Sequence, residues 1–334
     1  MRGLPALAAA LLAGAAPAAE VPDLGSRLER FAYPFAVERL TVDVAGAAAE
    51  MAFMDVRPAR PNGRAVVLLH GKNFCGATWE STARALSGAG YRVLIPDQIG
   101  FCKSAKPREA QFSFAMLADN TARLMRARGI DRAHVVGHSM GGMLAMRFAI
   151  LFPDRVDRLV LVNPLGLVDR QAEGVPYAGL DALLAEERGV SFDSIKRYQL
   201  ANYYHGQWRP GYDRWVTMLA GMSRGSGREA VALAAAKTGE MILTQPVAYE
   251  LGRIAAPTTL MIGALDGTAF GKARAPAALR ATIRPIPAVA PGAARRIPGA
   301  RLVTLDGLGH SPQVEAPARF EAALLAALAG RRPG

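Results

Sequence analysis

The sequence is poor in cysteine and lysine, and after its start it has no long uncharged apolar stretch. Two cysteines, Cys75 and Cys102, among 334 residues exclude a Cys-rich scaffold and a four-thiolate zinc site. Lysine is scarce: 34 of the 40 basic side chains are arginine, and the formal net charge is +12. That balance would suit nucleic acid only if the charge were clustered. The longest basic runs are doublets, such as Arg295-Arg296 and Arg331-Arg332, and no motif of aromatics interleaved with basic residues appears, so no nucleic-acid partner is expected. No later segment reaches the roughly 20 apolar residues of a membrane span, so no membrane anchor is expected either. Charged residues make up 20%, and the 34 Gly and 22 Pro follow no period, which excludes disordered and collagen-like chains. What remains is a chain with 51% hydrophobic residues, long enough for one large domain or a domain with an insertion.

Residues 1–19 carry one charge, Arg2, then an apolar run at 4–14, and end in Ala16-Pro17-Ala18-Ala19. A basic start, a short apolar stretch and small residues at the end form a secretory leader pattern, so a periplasmic or secreted location is expected.

Past that segment, residues 39–44 and 51–56 roughly alternate apolar and other side chains, with a turn at 58–63, and read as antiparallel strands. Short continuous apolar runs then alternate with helical stretches. The runs lie at 65–69, 93–95, 134–136, 159–162, 259–262 and 302–305; the helices at 79–89, 114–128, 140–151 and 316–328. Such a chain predicts an α/β fold with a doubly wound, mostly parallel sheet. The rhythm breaks between Pro164 and Pro257, where helical periodicity and most large aromatics gather. The chain divides into a leader at 1–19, core at 20–163, a helical cap at 164–256 and core at 257–334. The stretch 267–299, rich in Ala, Pro and Arg, reads as a long loop with a helix or two.

The chemistry concentrates at Gly137-His138-Ser139-Met140-Gly141, a G-x-S-x-G pentapeptide where a strand ends and a helix begins. Glycine on both sides permits the tight turn that projects a Ser139 nucleophile. A hydroxyl needs a base, and position selects among five histidines. His138 lies within the turn, His134 at a strand start, His70 in a strand-end pair His70-Gly71 and His205 in the inserted segment. His310 follows a short strand in a Gly-containing loop. Asp266 also follows a strand end and lies between Ser139 and His310, which matches the Ser…Asp…His chain order that accompanies a G-x-S-x-G elbow; Asp306 is the rival carboxylate and reads better as a turn residue before Gly307. The oxyanion needs two backbone N–H donors. Met140 offers one, and Lys72 is expected to offer the other, with Asn73 as the alternative.

His70-Gly71, Trp79, Asp97-Gln98-Ile99-Gly100-Phe101-Cys102-Lys103-Ser104, the Gly137–Gly141 elbow, Leu265-Asp266 and Gly309-His310-Ser311 together resemble the α/β-hydrolase superfamily, in its lidded, esterase-like serine-hydrolase branch. The resemblance covers nearly everything from Phe31 to Leu328. It implies an eight-stranded, mostly parallel sheet, a helical cap after the sixth strand, the triad Ser139, Asp266 and His310, and no metal or organic cofactor. Dehalogenases and epoxide hydrolases of this fold carry Asp at the elbow, so Ser139 argues against both. Where the family usually has a small or apolar residue after the His-Gly pair, this chain has Lys72. The family's topology makes the loops holding Cys75 and Cys102 neighbours, which allows a disulfide between them. The expected activity is hydrolysis of a small-molecule carboxylic ester, with Phe74, Tyr203, Tyr204 and Trp208 lining the substrate site. Lactone, amide or β-diketone C–C hydrolysis by the same triad is the alternative, and a non-catalytic binding protein on this fold a further one.

Overall fold

Runs of Val, Leu and Ile bounded by turn residues form strands buried on both faces, because only a sheet covered by helices on each side hides every side chain of such a run. In the computed structural model, which describes residues 21–330, eight strands form one sheet. They are β1 (Glu38–Val44), β2 (Ala47–Val56), β3 (Ala65–Leu69), β4 (Arg92–Pro96), β5 (Ala133–His138), β6 (Val156–Val162), β7 (Thr258–Gly263) and β8 (Arg301–Leu305). Their spatial order is β1-β2-β4-β3-β5-β6-β7-β8. β1 pairs antiparallel with β2, and β2 antiparallel with β4; every other pair is parallel.

Two apolar layers follow from strand alternation. On one face Val66, Leu68 and Val136 pack with Trp79, Leu86, Phe320 and Leu324, which come from or adjoin α1 (Glu80–Gly88) and the terminal helix. On the other, Val67, Leu69 and Val135 pack with Leu117, Leu144 and Ala290, drawn from α2 (Phe114–Ala127), α3 (Met140–Leu151) and the 267–299 stretch.

Between β6 and β7 four helices cover the sheet's C-terminal edge: α4 (Leu180–Arg188), α5 (Phe192–Asn202), α6 (Asp213–Met222) and α7 (Arg228–Thr244). α4 packs along α7, and α5 on α6. The 267–299 stretch is more ordered than its composition indicates. It holds α8 (Ala277–Arg280) and α9 (Ile286–Arg296), which buries Ile286, Ala290 and Ala293 and packs on β7 and β8. After β8 come α10 (Pro312–Glu315) and α11 (Pro317–Leu328).

The first hairpin departs from the expected alternation. β2 begins at Ala47 rather than Met51, and the turn is Ala45-Gly46, both at positive φ (57° and 79°). Alanines form strands poorly on their own, but here seven register pairs with β1, from Glu38↔Phe53 to Val44↔Ala47, hold them in place. Among the described residues no helix is long and apolar enough to cross a membrane. The leader expected at 1–19 lies outside the described residues.

Candidate active site

Three adjacent strand ends and one loop build the site. β5 ends at His138 and α3 starts at Met140, so Ser139 alone makes the turn, at φ 56° and ψ −120°. A side chain in that region is strained unless its surroundings hold it there. They do. The Ser139 amide donates to the Val162 carbonyl at 3.0 Å, and its own carbonyl accepts from Gly142 (2.9 Å) and Leu165 (3.0 Å). The glycines are required by contact: a Cβ on Gly137 would lie 2.2 Å from the Gly141 carbonyl oxygen, and one on Gly141 2.3 Å from that of Leu69. Met140 opens α3, where the first amides have no acceptor within the helix and favour negative charge.

His310 and Asp266 meet with no exposed side-chain surface: Nδ1 of His310 donates to Oδ2 of Asp266 at 2.8 Å. That bond fixes the tautomer and leaves the lone pair on Nε2, which has no hydrogen-bond partner among the described residues. The other carboxylate oxygen accepts from the Thr268 amide at 2.8 Å. Asp306 is exposed, beside Gly307 at φ 71°, and belongs to a turn.

Two polar residues that the sequence reading passed over hold this pair in place. Asn163, just past β6, donates to the carbonyls of Gly309 and His310, each at 2.9 Å, and accepts from the Gly263 amide at 2.8 Å. It ties the acid's strand to the base's loop. Glu315, buried, takes the Gly309 amide on both oxygens (2.9 and 3.1 Å), and His205 from the cap reaches it at 3.2 Å. Burial raises the Glu315 carboxyl above the usual range. The signal for Asn163 was its position, a polar residue ending an apolar strand beside those that carry Ser139 and Asp266. His138 donates Nε2–H to the His310 carbonyl at 2.8 Å, and burial pushes its pKa well below the ordinary value, which keeps it neutral.

The loop after β3 presses on the elbow, since a Cβ on Gly71 would stand 3.0 Å from Cβ of Ser139. The Gln98 amide donates to Nε2 of His70 (3.1 Å), so the proton of this imidazole sits on Nδ1 and goes to the Gly71 carbonyl at 2.9 Å. Phe74 N–H also reaches that carbonyl, at 3.2 Å. The 71–72 peptide is trans, like every described bond, so the Lys72 N–H points opposite to the carbonyl that His70 holds. Further along, Cys75 and Cys102 form a disulfide with Cα atoms 5.8 Å apart, joining the loops after β3 and β4. The Lys72 ammonium pairs with Glu187 of α4 at 2.6 Å, and the Asn73 amide donates to the Tyr203 hydroxyl at 3.0 Å.

A cavity of about 620 Å³ lies between this loop and the cap. Ser139 does not border it directly; Lys72 and Asn73, next in chain after Gly71, do. The four aromatics expected to line it stand elsewhere. Tyr203 lies on the His310 ring with centroids 4.3 Å apart, and Phe74 stacks on Tyr203 at 6.0 Å. Tyr204 stacks on Tyr212 at 4.0 Å with Trp208 edge-on at 5.4 Å. Rings packed against a buried imidazole or against one another leave the cavity wall largely to α4, α5, α6 and α7, where Tyr198 of the wall stands edge-on to Tyr203 at 5.4 Å. Among the described residues, no group of three or more His, Cys, Asp or Glu side chains is placed to hold a metal ion.

With this fold and geometry, the chain belongs to the α/β hydrolase fold family, whose family model matches residues 64–317. A probable hydrolytic enzyme from Pseudomonas aeruginosa is 52% identical, with a TM-score of 0.91 over 92% of this chain and 99% of that one. The 2-hydroxy-6-oxo-6-phenylhexa-2,4-dienoate hydrolase of Burkholderia cepacia is 34% identical over 138 residues, 40% of this chain and 48% of its own. The chain thus spans about half the length of the curated relatives it matches. An esterase from Exiguobacterium antarcticum, 18% identical, shares the fold with a TM-score of 0.69 over 87% of this chain and 100% of its own.

Proposed function

We propose that the protein is an exported serine hydrolase that cleaves carboxylic esters through an acyl-enzyme on Ser139. The observation that carries this reading is the strained Ser139 on its elbow together with His310, whose Nδ1 proton is committed to Asp266 while Nε2 stays free. Ser139 Oγ attacks the acyl carbon and passes its proton to Nε2 of His310. The tetrahedral oxyanion is held by the amides of Met140 and Lys72, the latter aimed by the His70–Gly71 hydrogen bond. His310 then returns the proton to the leaving alkoxide. Water, deprotonated by the same nitrogen, attacks the ester carbonyl and releases the acid and free Ser139. The disulfide supports an oxidising compartment, in line with the leader pattern.

The test is hydrolysis of p-nitrophenyl esters from acetate to palmitate, with Ser139→Ala alongside. Activity peaking at one chain length and falling by at least about 10³-fold in the variant is the expected outcome. No turnover of any ester would sink the reading. The second reading, C–C hydrolysis, draws on the curated relative, whose named substrate is an oxo-dienoate rather than an ester; it predicts turnover of a β-diketone instead.

A further inference from the structure

The cavity above Lys72 has four charged side chains in its wall, and all four are already paired. Lys72 meets Glu187 at 2.6 Å, with 15% and 23% of the two side chains exposed. Arg274 grips Glu186 through two nitrogens. Both glutamates come from α4, where positions 183, 186 and 187 share a helix face, so Leu183 and the two carboxylates border the cavity together. Arg188, on another face, turns away to Glu229. Beyond these pairs the wall is largely apolar, with Ile195, Leu219, Met222, Val231 and Phe270.

We infer that this cavity takes uncharged, largely hydrocarbon chains and rejects chains ending in a carboxylate, and that Glu187 sets the choice. The inference rests on the hydrolase reading of the site and adds the class of substrate. A carboxylate-bearing chain could find a cation here only by displacing Glu187 from Lys72 or Glu186 from Arg274, and would then lie beside the glutamate it had left uncompensated, in a half-buried space. Like charges so placed count against the wrong ligand without any contact being added for the right one. Glu187 occupies, from within the chain, the position a substrate carboxylate would otherwise take beside Lys72. A hydrocarbon chain disturbs neither pair.

The experiment compares p-nitrophenyl hexanoate with mono-p-nitrophenyl adipate, which share a six-carbon acyl chain and differ by a terminal carboxylate. In the wild type the kcat/KM ratio should favour hexanoate by at least about 30-fold. Glu187→Gln should close that ratio by about tenfold or more, and Lys72→Met on the Glu187→Gln background should reopen it, because Lys72 is the cation thus freed. Lys72→Met alone should leave adipate rejected, and it decides the matter if Glu187→Gln fails to fold. Equal or better use of adipate by the wild type would overturn the inference, as would a ratio unmoved in a folded Glu187→Gln protein. If the wild type cleaves neither compound, the ester reading fails separately. Calorimetry with hexanamide and adipamate then reads the same choice without turnover: hexanamide preferred in the wild type and less so in Glu187→Gln supports it, and adipamate preferred in the wild type refutes it.

Discussion

His70 gives its Nδ1 proton to the carbonyl oxygen of Gly71 across 2.9 Å, and together with the Phe74 amide on the same oxygen this bond sets the direction of the next peptide N–H, that of Lys72. A buried imidazole thereby orients a donor on the loop that presses on the elbow.

His70→Phe keeps the volume and removes the bond. With the 71–72 peptide held by the Phe74 amide alone, kcat should fall about 10²-fold, while KM stays within about threefold, since the weakened interaction belongs to the transition state. Steady-state kinetics on a p-nitrophenyl ester read this, and an unchanged kcat would show that the turn holds itself.

Asn163 makes three hydrogen bonds across two loops and sits at φ 40°, a conformation asparagine tolerates better than most residues. Asn163→Ala should cost about 2–4 kcal/mol in urea unfolding and lower kcat as the His310 loop loosens. Asn163→Gly, which relieves the backbone, should recover only part of the stability and none of the rate.

The Cys75–Cys102 bond closes a loop between positions 27 residues apart. Cys75→Ser with Cys102→Ser should lower stability by about 3 kcal/mol and Tm by roughly 5–10 °C, chiefly by freeing the unfolded chain. Differential scanning calorimetry checks it. A Tm unaltered by the double substitution would mean that packing around the loop already supplies the constraint.

Three buried histidines predict acid sensitivity. Burial pushes His134 down to about 4, lowers His70, and takes His138 well below the ordinary value. Unfolded, each would take up a proton near pH 6.5, and the folded protein refuses it. Between about pH 6.5 and 4 the unfolded state therefore binds more protons, and stability falls as pH falls, by up to about 1.4 kcal/mol per pH unit for each group. The raised Glu315 carboxyl works in the opposite direction above its usual range and offsets a part. The urea midpoint should be lower at pH 5 than at pH 7.5. His134→Leu, which removes two buried ring nitrogens without partners, should flatten that slope; a slope left intact would exclude His134 as its source.

The central strands and the candidate site residues were legible because each leaves a local mark: short apolar runs, a glycine-flanked serine, and Asp266 and His310 just past strand ends, two residues that the fold brings into hydrogen-bond contact. β3 and α3 fall on the very residues their sequence patterns indicate. What escaped depends on contacts remote in sequence. Ala47–Glu50 reads as no strand until β1 pairs with it. Asn163 and Glu315 have no motif of their own and act through backbone groups up to 147 residues away. The aromatics of the cap were visible as a group, but which of them face a cavity and which pack a histidine is decided by how α5 lies on the His310 loop.

That lie has a mechanical consequence. The Tyr203 carbonyl, at the end of α5, accepts the His310 amide at 2.9 Å, and the Asn202 carbonyl accepts that of Gly267 at 3.1 Å. The end of α5 is thus stitched to the backbones next to both His310 and Asp266, so raising it would pull on the two together. The cover over this site thus meets the body in two different ways. α5 is joined to it through backbone hydrogen bonds, whereas α4 meets it through the side-chain pairs Lys72–Glu187 and Arg274–Glu186.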